Sequence, residues 1–205
     1  MESPRFNQKE EVPFAHYREI YRGLDPRSIS GRCALPFDGE AFSLTLMGTD
    51  YRIPHPDFSL TQNLMENILV LRYLCEGKYF PDNGKRLSYN EIPWGPVYYR
   101  NFEGRCLKRL AYNFGKDIKG FKALIEGEPG LKAESLSQGD AGYRIEFLNG
   151  LWLSLILYGA DDEFPPSSQI LFDDNFVFAF TAEDLAVAGE VVIDRLKGIK
   201  AFISP

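Results

Sequence analysis

Apolar positions along the chain alternate between a spacing near four and a spacing of two, and each stretch predicts an element. Residues 1–31 carry Phe14, Tyr17, Ile20 and Tyr21 at helical spacing and stop at Gly23 and Pro26, which predicts an N-terminal helical extension. AFSLTLMGTDYRI alternates Phe42, Leu44 and Leu46 with small or polar partners, breaks at Gly48-Thr49-Asp50 and resumes with Tyr51 and Ile53. A hairpin ended by Pro54 and Pro56 is expected. SLTQNLMENILVLRYLCEGK opens with Ser59 and Gln62 at capping-box spacing, repeats Leu60, Leu64, Ile68, Leu71 and Cys75 on one face, and ends at Gly77. FEGRCLKRLAYNFG places Phe102, Cys106, Leu110 and Phe114 four apart, and Ile118, Phe121 and Ile125 mark a short helix after it.

GYRIEFLNGLWLSLILYG reads as two strands around Asn149-Gly150, the residues a two-residue turn with positive φ requires. Pairing Leu148 with Leu151 then sets Phe147 opposite Trp152, Ile145 opposite Ser154, Tyr143 opposite Ile156 and Asp140 opposite Gly159. Apolar residues on both sides of these strands predict a sheet covered on both faces. SQILFD is a third strand, and TAEDLAVAGEVVIDRLKGI a final helix capped by Thr181 and Asp184, with Leu185, Ala188, Val192 and Leu196 facing inward. The order of elements predicts an α+β fold, antiparallel strands with helices packed on them, as a single domain over residues 32–205.

With 205 residues, 44% hydrophobic and 25% charged, the chain is long enough for a sizeable core. Its longest apolar run, Leu151 to Tyr158, is far short of the roughly 20 residues a membrane helix needs. MESPRFNQKEEVPF has no apolar core of a secretory signal, so a cytoplasmic protein is expected. The net charge of −6 argues against nucleic acid. The charge is uneven: seven basic residues lie between Arg100 and Lys122, while Arg144 is alone among twelve acids from Glu134 to Asp194. The two halves are expected to pair with each other, the alternative being a basic face for an anionic ligand.

Cys33, Cys75 and Cys106 form no C-x-x-C pair, and His16 and His55 leave few candidates for a triad base. Dinucleotide, P-loop, nucleophile-elbow and zincin motifs are absent. Two candidate sites remain. NEIPWGPVYYRNFEGR brings Trp94, Tyr98, Tyr99, Arg100 and Arg105 around a Pro-Trp-Gly-Pro turn, a set that could line a pocket for a small anionic ligand. The same residues could instead form a rigid loop that seals the core. The hairpin register carries Asp140 to the end of the sheet that holds Asp161, Asp162 and Glu163; Asp140, Asp162 and Glu163 could ligate Mg²⁺ or Ca²⁺ or serve as acid and base. The plain alternative is a solvated turn stiffened by Pro165-Pro166.

The run GADDEFPPSSQILFDDN…FTAEDLAVAGEVVIDRL, with LSYNEIPWGPVYYRNF and Gly139-Asp140, resembles the bacterial family known as domain of unknown function 3786, over residues 12 to 198. Some members join this domain to a four-cysteine iron–sulfur module, which implies anaerobic one-carbon or corrinoid metabolism for them. This chain lacks such cysteines, so no iron–sulfur cluster is expected in it. The readings carried forward are a ligand-binding or accessory module contacting a small anion or a partner protein, a metal-assisted enzyme, and a structural or regulatory subunit.

Overall fold

A computed structural model describes residues 11–203. Helix α1 (Glu11–Gly23) packs against α3 (Leu64–Glu76), and α2 (Pro26–Cys33) buries Ile29 and Cys33. Asp25 caps α2, and Pro26 at its first turn has no amide to leave unsatisfied. Strands β1 (Ala41–Leu46) and β2 (Thr49–Pro54) form the expected hairpin. Its turn is Met47-Gly48, both at positive φ, so β2 starts at Thr49, within the stretch read as the break. The cap of α3 is likewise Asn63 and not Ser59, because the Asn63 carboxamide accepts from the Met65 and Glu66 amides. Its buried face is correspondingly turned towards Leu69, Val70, Tyr73 and Leu74.

Short strands β3 (Arg86–Ser88) and β4 (Ala133–Leu136) complete a seven-stranded antiparallel sheet with β5 (Ala141–Leu148), β6 (Leu151–Tyr158) and β7 (Ser167–Asp173). The path is β2-β1-β5-β6-β7-β3, with β4 on the edge of β5. Between β3 and β4 run α4 (Gly95–Phe102), a π-helical turn over Glu103–Leu107, α5 (Lys108–Phe114) and α6 (Ile118–Gly127). A short α7 (Phe176–Ala179) and the long α8 (Ala182–Ile203) follow the sheet. The fold is α+β in one compact domain, as the element order predicts.

The expected register holds only at the turn. Leu148 pairs with Leu151, but Phe147 is an extra, bulged residue, so Glu146 pairs with Trp152, Ile145 with Leu153 and Tyr143 with Leu155. The bulge has two partners: the Phe147 carbonyl accepts from the Met47 amide at 2.8 Å, and its ring packs near Phe176 and Phe180. One consequence is a reassignment of faces. Tyr143, Ile145, Leu153, Leu155 and Leu157 point to the helices, where Phe102 meets Phe172 and Phe121 meets Tyr143. Arg144, Trp152, Ser154 and Ile156 occupy the opposite face.

Helix α8 is the centre of the helical layer. Leu185, Ala188, Val192 and Leu196 are fully buried, and Thr181 and Asp184 cap each other as the spacing implied. Its acids answer the basic run: Arg105 donates to Glu190 at 2.5 Å and Arg109 pairs with Asp194. Arg195 returns the arrangement, gripping both oxygens of buried Glu66 at 2.7 and 2.9 Å and donating to the Tyr51 hydroxyl and the Leu46 carbonyl.

Candidate functional site

The stretch read as a Pro-Trp-Gly-Pro loop is the start of a helix. Ser88 and Glu91 form a reciprocal cap, with the Ser88 amide and hydroxyl each donating to Glu91 at 2.7 Å. These bonds hold the Glu91 carboxyl below its ordinary pKa. Tyr89 is buried, donates to the Ala182 carbonyl at 2.6 Å and stacks on Phe102. Gly95 lies against the Tyr89 carbonyl so closely that a Cβ there would overlap it. With both flanks fixed, Trp94 takes a left-handed backbone (φ 66°), and Pro96 in the first turn carries the chain into α4.

The outcome is an exposed knuckle. Trp94 is 75% and Val97 71% exposed, Tyr98 is also exposed, and Pro93 and Pro96 flank them. Val97 and Tyr98, in the first turn of α4, are exposed three and four residues after Trp94. Tyr99 turns partly into the core, and Arg100 is exposed with no ion pair among the described residues. Arg105 is set apart by its bond to Glu190, which raises its pKa. The five predicted residues therefore divide: Trp94, Tyr98 and Arg100 are presented outward, Tyr99 packs, and Arg105 joins α4–α5 to α8. Two large hollows lie elsewhere, one of about 630 Å³ beside Arg27 and Phe37 and one of about 430 Å³ beside Lys116 and Gly159.

The carboxylates have local roles. Asp140 accepts from the Gly159 amide at 2.7 Å, and Asp161 accepts from the Glu163 and Phe164 amides at 2.9 and 2.7 Å, which folds the turn. Asp162 and Glu163 are exposed. Among the described residues no group of three or more His, Cys, Asp or Glu side chains could hold a metal ion, so Asp140, Asp162 and Glu163 are not assembled as one ligand set.

A cluster on the far face of the sheet was not singled out from the sequence. Arg144 donates to Asp173 from Nε and Nη2 at 3.1 and 2.5 Å, to Glu134 at 3.0 Å and to Asp82 at 3.5 Å, while its guanidinium lies 4.8 Å from the Trp152 ring centre. Asp173 is 2% exposed, and burial raises its pKa although Arg144 opposes this. The signal was present, because Arg144 is the lone cation among twelve acids.

No curated protein and no solved structure matches the chain. A family described as a domain of unknown function, DUF3786, matches residues 25–195, a span running from the cap of α2 to just past the middle of α8. With its fold and its surface in view, the chain belongs to the DUF3786 family.

Proposed function

We propose that the chain is an accessory module that recognises a partner protein through the Trp94–Val97–Tyr98 knuckle. One observation carries the reading: large apolar side chains are held out into solvent on a backbone that is itself strained. A non-glycine residue in a sparsely populated backbone region costs on the order of 1–3 kcal/mol and persists where the surroundings enforce it. Here the Ser88–Glu91 cap, the Tyr89–Phe102 stack and the Gly95 contact do so. Singly exposed apolar residues carry no message, but a cluster of them on one turn marks a contact surface. Tryptophan, tyrosine and arginine are also the residues that dominate binding energy at protein interfaces.

The same side chains suit a small anion less well, because small-molecule sites are concave and this is a convex turn. Action in the cytoplasm fits a module of this kind. A setting in one-carbon or corrinoid metabolism rests on family members that carry an iron–sulfur module, whose cysteines this chain does not have.

The test is parallel affinity purification of the wild type and a Trp94→Ser/Val97→Ser variant from the native cells, after matched thermal melts. A partner retained by the wild type and lost by the variant supports the reading. Identical sets of co-purifying proteins overturn it.

A further inference from the structure

Resting on that reading, we infer that the partner presents an acidic amphipathic helix, laid along the exposed stripe of the α4–α5 rod. Residues 95–114 run as one helical rod, about 30 Å long at 1.5 Å per residue. Phe102, Cys106, Leu110 and Phe114 bury one side. The other side exposes Val97, Tyr98, Asn101, Gly104, Lys108 and Tyr112 at spacings of one to four, a single stripe with aromatics at both ends. Tyr112 is 78% exposed.

Gly104, in the middle of this stripe, lies in the π-helical turn over Glu103–Leu107 and, like Gly31 and Gly198, is crowded by no neighbour. Its φ is not positive, and a Cβ added there would meet nothing within 4 Å. Glycine inside a helix costs roughly 0.5–1 kcal/mol relative to alanine, so the fold alone favours a larger residue. Gly189 is the contrast: a Cβ there would run into the Cys106 sulfur at 2.8 Å. A bare backbone between two aromatic ends lets another helix approach the rod closely. The backbone of a helix has no free edge for strand addition, and helix-on-helix packing is the mode that uses a close backbone approach of this kind.

Charge selects among helices. The exposed ionised groups from residue 94 to 116 are Arg100, Lys108 and Lys116; Glu103 is half-buried and tied to Lys108 at 3.1 Å. In a chain of net charge −6 this is a local positive strip, and an acidic partner complements it. A second copy does not: a two-fold antiparallel pairing centred on Gly104 would set Arg100 of one copy beside Lys108 of the other.

The experiment uses the full chain and two synthetic helical peptides of about 20 residues, matched to the rod. Both share one leucine face; one has a glutamate-rich polar face and the other a lysine-rich one. Binding is followed by anisotropy of the labelled peptides. The glutamate peptide is expected to bind about tenfold more tightly at low salt, with the preference reversed by Arg100→Glu/Lys108→Glu and both peptides rejected by Gly104→Leu at unchanged melting temperature. Equal binding of the two peptides overturns the inference, as does binding by neither. A dimer in sedimentation that Trp94→Ser dissolves also overturns it and makes the occupant a second copy. If the peptides fail but the co-purified partner is still lost with Trp94→Ser/Val97→Ser, docking at the knuckle stands and only the acidic helix is rejected.

Discussion

Tyr89 and Phe102 lie face to face, ring centres 4.0 Å apart and planes within 5° of parallel, and this stack ties the turn before the knuckle to the end of α4. Both rings are buried, so the pair is a packing unit as well as a link between these two segments. Phe102→Ala is expected to cost about 3–5 kcal/mol in urea unfolding. Tyr89→Phe, which keeps the stack but removes the bond to the Ala182 carbonyl, should cost about 1 kcal/mol.

Trp94 should behave in the opposite way. Its ring contributes little packing, and glycine tolerates a φ of 66° without strain, so Trp94→Gly is expected to change stability by less than about 1 kcal/mol while abolishing partner binding. A loss of several kcal/mol would show that the ring serves the fold instead.

Gly95→Ala is the sharper steric test. Its Cβ would strike a backbone carbonyl that cannot step aside, and the residue is buried. Destabilisation of about 2 kcal/mol or more is expected from such overpacking, visible as a lowered thermal midpoint.

Removing Arg144 leaves Asp173 buried without its counter-charge, a situation that costs about 3–5 kcal/mol. Arg144→Met is therefore predicted to destabilise strongly, and adding Asp173→Asn should recover much of the loss. A strictly additive double variant in urea unfolding would contradict the coupling.

Asp184 offers a pH test. It is buried in the capping pair, and burial raises its carboxyl pKa above the ordinary 3.8, against the pull of Arg72. A carboxyl with a raised folded pKa favours the folded state below the unfolded pKa, and that advantage is lost as pH rises through the folded pKa. Asp184→Asn keeps an oxygen for Thr181 and has no proton to lose. The stability of the wild type minus that of this variant should fall as pH rises from about 3.8, the unfolded value. A flat difference across acid pH would refute it.

The long elements were legible because burial writes itself into spacing. Leu185, Ala188, Val192 and Leu196 in α8, and Phe102, Cys106, Leu110 and Phe114 in the rod, all turn inward where their four-residue periods place them. Strands β3 and β4 left no such mark: three and four residues long and mostly exposed or half-exposed, they are held by backbone bonds to β7 and β5 and not by an apolar face. The Phe147 bulge was hidden for a related reason, since its carbonyl partner, Met47, lies in a turn distant along the chain. For the candidate site, the sequence picked out the aromatic–arginine turn but not the direction of its side chains. Pro96 at a helix start and the neighbours of Gly95 decide that Trp94 points outward, and only packing shows this.

The join between the two hairpins bears on how fast the molecule can form. The Asn149 carboxamide accepts from the Thr45 amide at 2.8 Å across a separation of 104 residues, and the Leu46–Leu148 bridge lies beside it. Each hairpin can close locally on a microsecond scale, but this seam must wait for a loop of that length to be brought together, at an entropic cost that nothing repays until the strands meet. Refolding should therefore be limited by assembly of β1 onto β5, so Asn149→Ala is expected to slow refolding in stopped-flow measurements, and an effect on the unfolding rate alone would contradict this.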